Sequence, residues 1–92
     1  MMSELDEEML RELYELIASL KTPEDCKLLF DDLCTVKETL KMAQRVRVAK
    51  LILMDKTYNQ IIEETDISSA TLSRVSRCVQ FGEGYKKFLK NQ

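Results

Sequence analysis

The chain has no histidine, one proline, two glycines and three cysteines in 92 residues. Each scarcity excludes something. Histidine is the commonest side chain for proton transfer near neutral pH, and no glycine-rich phosphate loop is present either. No nucleophile–base pair or metal constellation stands out, so no enzyme and no cofactor are expected. So few glycines and prolines argue against a turn-rich β fold, which leaves an all-α fold as the default. Cys26, Cys34 and Cys78 make an odd count without a secretory signal, the pattern of reduced thiols in a cytoplasmic protein. Nothing around Cys26 and Cys34 resembles a zinc ligand set, and all three read as small buried hydrophobes. No apolar run approaches the roughly 20 residues of a membrane span. The first residues are acidic rather than a basic signal region, so no membrane partner is expected.

What is present is a soluble globular composition, 45% hydrophobic and 33% charged. The length fits a single small domain over 1–92. A chain this short buries a modest share of its surface, which makes a second copy a natural source of stability. The net charge is −2, which on its face speaks against nucleic acid. The distribution reverses that. Residues 1–36 hold ten acids and three bases, a net of −7, while residues 37–92 hold eleven bases and six acids, a net of +5.

Along the chain, Leu5, Met9, Leu13, Leu16, Ile17 and Leu20 recur at helical spacing, and Leu10 and Tyr14 widen the apolar face past half the circumference. A helix that broad seeks cover from another chain. Thr22-Pro-Glu-Asp25 starts a second helix, with threonine as cap, proline at the first position and acids in the first turn. Thr35-Val-Lys-Glu38 has the form of a capping box. The helix that follows runs to about Asp55 and is apolar nearly all round in its later turns, so it is expected to be central and the most buried. Lys41, Arg45, Arg47 and Lys50 give it four positive charges and no acid across residues 41–50. They are either a solvated face or contacts to phosphate or an anionic ligand. Residues 1–55 thus read as dimerisation and core helices, 57–79 as the functional head and 80–92 as a closing helix. In that closing helix Tyr85, Phe88 and Leu89 share a face.

The head carries the pattern on which the rest depends. Thr57-Tyr-Asn-Gln60 is another capping box. Ile61 and Ile62 face inward, the helix stops near Thr65-Asp66, and Ile67 plugs the turn. Ser68 or Ser69 caps the next helix, whose buried stripe is Leu72, Val75 and Val79. Two short helices with an abrupt turn make a helix-turn-helix, in which the second helix lies in the DNA major groove. Its outer strip offers Ser69, Ala70, Ser73, Arg74 and Arg77, with no acid between Ser68 and Gln80. Small hydroxylated residues let the backbone approach base edges, and arginine forks onto guanine or grips phosphate. Ser68, Ser69, Ala70, Ser73, Arg74 and Arg77 are the expected readers. Thr71 and the basic residues of the central helix are expected to position the DNA backbone. An ordinary helical hairpin shares the same apolar spacing.

At Met42-Ala-Gln-Arg-Val-Arg-Val-Ala-Lys50, Lys56-Thr-Tyr58 and Ala70-Thr-Leu-Ser-Arg-Val-Ser-Arg-Cys78 the chain resembles the tryptophan repressor superfamily. The resemblance covers roughly residues 20–90 and is nearest to the YerC/YecD branch of repressor-like proteins. It implies an all-helical, intertwined homodimer. It also implies a corepressor site held by two arginines, whose motif positions are Arg45 and Arg74 here. The family's tryptophan-binding member has glycine directly after the second arginine, where this chain has Val75. That branched side chain stands where the indole ring would lie, so a tryptophan corepressor is not expected. Arg45 and Arg74 then serve phosphates, another ligand, or an internal pair with Glu63 or Glu64.

The expectation is therefore a homodimeric, sequence-specific regulator of transcription, of the repressor kind, whose partner is double-stranded DNA. The rival is a helical protein-interaction dimer that does not bind DNA. A third reading is a DNA-binding repressor gated by a small ligand other than tryptophan.

Overall fold

The computed structural model describes residues 1–90, and every regular element among them is a helix. In chain order these are α1 (Glu4–Ala18), α2 (Pro23–Leu33), α3 (Val36–Leu53), α4 (Tyr58–Thr65), α5 (Ser69–Phe81) and α6 (Gly84–Leu89). The last two positions of the expected closing segment lie outside the described residues. The chain forms two compact units, Met1–Val36 and a second that begins at Lys37. The charge asymmetry of the sequence, −7 before and +5 after, changes sign at the same boundary.

The first unit starts its helices as the cap signals predict. Ser3 Oγ accepts from the Asp6 backbone N–H at 3.1 Å while the Ser3 N–H donates to Asp6 Oδ2 at 3.0 Å, a reciprocal capping box for α1. Thr22 Oγ1 accepts from the Asp25 N–H at 3.0 Å, with Pro23 in the first turn of α2. What this unit lacks is an interior. No residue of α1 or α2 is buried in the single chain, and Leu5, Met9, Tyr14, Leu16, Ile17, Leu28 and Leu33 are all exposed.

The second unit holds the core. Val48, Ala49 and Leu51 of α3, Ile61 of α4, Ile67 of the turn, and Leu72, Val75 and Val79 of α5 are buried together. Ile52, Leu53, Tyr85 and Leu89 pack around them. No buried charged or polar residue is found among those described. Removing such side chains from water is the main favourable term holding α4 and α5 to α3. Thr57 caps α4 through the Gln60 N–H at 3.2 Å, and Gln60 returns the bond to the Thr57 N–H at 2.9 Å. Ser68 caps α5 through the Thr71 N–H at 3.2 Å. Both turns that bound α4 use aspartate in the left-handed region, Asp55 at φ 60° and Asp66 at φ 56°, a conformation that aspartate tolerates better than most residues.

Four expectations need correction. Ile62 is 37% exposed while Ile61 is fully buried: the two point about 100° apart, and α4 meets the core along a single narrow face. Phe88 is 67% exposed and lies 5.5 Å from Lys87 Nζ, leaving Tyr85 and Leu89, one turn apart, to close the unit. Cys26 and Cys78 are exposed and Cys34 is half-buried, so none is a core hydrophobe. Full burial in α3 is limited to Val48, Ala49 and Leu51, with Ile52 and Leu53 half-buried beside them; Leu40 and Val46 of the helix, and Met54 just beyond it, are exposed.

Candidate nucleic-acid interface

The core sets the orientation of α5. With Leu72, Val75 and Val79 buried at spacings of three and four, the opposite strip must face outward. Ser69, Ala70, Ser73, Arg74 and Arg77 are all exposed there. None of the five has a side-chain hydrogen bond or ion pair with another described residue, so their polar groups are available to an external partner. Ser68 and Thr71 differ. Ser68 is the cap, its hydroxyl donates to Thr71 Oγ1 at 3.0 Å, and Thr71 is half-buried. These two hydroxyls are already engaged in starting the helix.

Three further side chains organise the site. Tyr58, at the start of α4, donates from Oη to Ser76 Oγ at 2.8 Å and so joins the first helix of the head to the second. Gln44 of α3 donates from Nε2 to the Thr65 carbonyl at 2.9 Å, at the end of α4. None of Tyr58, Ser76 and Gln44 was singled out by sequence spacing. Their partners lie 18 and 21 residues away, a separation to which helical periodicity is blind.

Beside the strip, between α3 and α5, lies an open cleft of about 730 Å³ lined in part by Lys41, Gln44, Arg45, Thr71, Arg74, Val75, Cys78 and Tyr85. The structure thus brings Arg45 and Arg74 to one cavity, although they are 29 positions apart in the sequence. Neither forms an ion pair with Glu63 or Glu64, so the internal-pair option is not realised; the described ion pairs, Arg11–Glu15 and Lys27–Asp31, lie in the first unit. Three cations and no carboxylate line the cleft, which gives it a positive potential that no neighbouring wall residue neutralises. Val75 stands on its wall while belonging to the core, at 1% exposure. No cluster of candidate metal ligands occurs among the described residues, and no described helix is long and apolar enough to cross a membrane.

Comparison with known proteins points one way. Residues 8–92 match the family model described as Trp repressor protein. The chain is 47% identical over 73 residues to the uncharacterized protein YerC of Bacillus subtilis (strain 168), covering 79% of this chain and 70% of that one. It superposes with a TM-score of 0.87 on the crystal structure of a candidate Trp repressor from Staphylococcus aureus, at 38% identity, covering 98% of this chain and 94% of the other. A TrpR-like protein from Eubacterium eligens ATCC 27750 gives the same TM-score at 36% identity, with 91% and 88% covered.

Proposed function

This chain belongs to the Trp repressor family, on its YerC branch, and from that premise we propose that it is a sequence-specific DNA-binding repressor acting as a homodimer. Each subunit presents α5 to a major groove, with the two half-sites about one helical turn apart. The observation that carries this reading is the outer strip of α5. Two arginines and two serines stand exposed and unengaged on a helix fixed by three buried residues, and no acid interrupts the segment between Ser68 and Gln80. Arg74 and Arg77 supply the forked contacts to guanine or phosphate, and Ser69, Ala70 and Ser73 allow close approach. Ser68 and Thr71, already paired with each other, act by fixing the leading end of the helix. Selection of bound fragments from sheared genomic DNA tests the reading. An enriched motif with two-fold symmetry is expected, and a pool that stays unenriched with no fragment retained at low salt would sink it.

A specific observation favours a second layer. The cleft with Lys41, Arg45 and Arg74 on its walls suits a small anionic effector, and Val75 on the same wall argues against an indole. Calorimetry should show no tryptophan binding; tight tryptophan binding would contradict this role for Val75.

A further inference from the structure

The carbonyl of Thr65 is an orphan of helix geometry. Thr65 is the last residue of α4, the Asp66 N–H turns back to Ile62 O at 2.9 Å, and Asp66 then leaves the helix in the left-handed region. Terminal carbonyls of this kind need a donor from elsewhere. Gln44 Nε2 supplies it from α3 at 2.9 Å, in a partly buried position. At the other end of α4, Tyr58 Oη donates to Ser76 Oγ, and Ser76 lies between Arg74 and Arg77 on α5. One short helix is therefore tied at its end to α3 and at its start to the arginine-bearing segment. A carboxamide nitrogen has two hydrogens, and its oxygen accepts. The second hydrogen and Oε1 of Gln44 have no partner among the described residues, and Gln44 lines the cleft beside Arg45.

Resting on the reading of α5 as a DNA-reading helix, we propose that Gln44 is a positioning residue: it seats the helix-turn-helix on α3 at the Thr65 carbonyl, and makes the cleft wall and the turn of the head share one side chain. Its loss leaves the core intact and frees the turn. Base readout, which needs α5 at a set angle, suffers more than phosphate attraction, which does not.

The test compares wild type with Gln44→Met, similar in reach but without a donor, and Gln44→Glu, similar in shape but only an acceptor at neutral pH. Amide exchange is read residue by residue, alongside affinity for a selected fragment and for a scrambled duplex. In both variants, amides from Asp66 to Leu72 should exchange about ten-fold faster while those of Val48 to Leu51 stay protected. Affinity for the selected fragment should fall about ten-fold in Gln44→Met with the scrambled duplex little changed. The carboxylate of Gln44→Glu, set beside Arg45 in the cleft, should weaken binding to both duplexes, and to the selected one more. A stronger fall for the selected fragment is a readout that general destabilisation would not produce. Unchanged exchange in the head, in both variants, overturns the proposal whatever the DNA data show. Faster exchange in the head of a protein whose wild type binds no DNA would uphold the seating by Gln44 and refute the reading of α5.

Discussion

Neighbouring residues on a helix point about 100° apart, and in an eight-residue helix that decides which of two isoleucines holds the head to the core. Ile61 is completely buried against α3 and α5, whereas Ile62 meets solvent. Ile61→Ala should cost about 2–5 kcal/mol, through lost transfer energy and the cavity left behind. Ile62→Ala should stay within about 0.5 kcal/mol, as substitutions away from a packed core do. Chemical denaturation of the two variants checks the pair, and equal losses would mean that Ile62 is covered by something other than this chain. The sequence reading turned both members of the 61–62 pair inward, because a helix of two turns offers too few repeats to fix the phase. Leu72, Val75 and Val79 were legible because α5 repeats the pattern over three turns. The cysteines misled because cysteine's usual burial is a statistical property of the residue, whereas exposure at 26 and 78 follows from the face on which each falls.

At the scale of elements, the helix starts were the most legible feature, since a cap and its partners are close in sequence. Ser68, Thr57 and Thr22 all cap as their positions demand. The cap of α1 has a pH signature. The Ser3 backbone N–H, and then its hydroxyl, hold the Asp6 carboxyl below its ordinary value of 3.8. A carboxylate whose folded pKa is depressed stabilises the fold above its unfolded pKa, and that contribution fades as pH falls through the lowered value. The first turn of α1 should accordingly loosen only in acid below 3.8, and Asp6→Asn should remove that step. A residue-specific titration by NMR decides it; an Asp6 midpoint at or above the ordinary value would contradict the capping box in solution. The contacts that organise the head could not be read the same way. Gln44 and Tyr58 stand inside strings that carry the family resemblance, yet spacing gave neither a role. Their roles exist only because the fold brings Thr65 and Ser76 to them.

On the scale of the whole molecule, the change of charge sign at the boundary between the units separates two tasks. The acidic first unit exposes a row of large apolar side chains that nothing in the single chain buries, and a monomer seldom leaves so many uncovered together. In the homodimer proposed above, a second copy would cover them. Sedimentation at micromolar concentration should give twice the chain mass, and Leu16→Asp with Ile17→Asp should shift it toward the monomer. A wild-type monomer mass would contradict the assembly. The basic second unit carries α5, and a whole-chain pI of 5.2 conceals it.

The proposed engagement of DNA by Arg74 and Arg77, on the exposed strip of α5, shows first in the salt dependence of binding. The measurement is the affinity of wild type and of an Arg74→Ala, Arg77→Ala double variant for one selected duplex across a salt series. For wild type the logarithm of the affinity should fall linearly with the logarithm of salt, with a slope of roughly 0.9 per phosphate neutralised. The double variant should lose the selective affinity and show a shallower slope, with helix content unchanged by circular dichroism. A double variant that binds as tightly as wild type, with the same slope, would contradict the account.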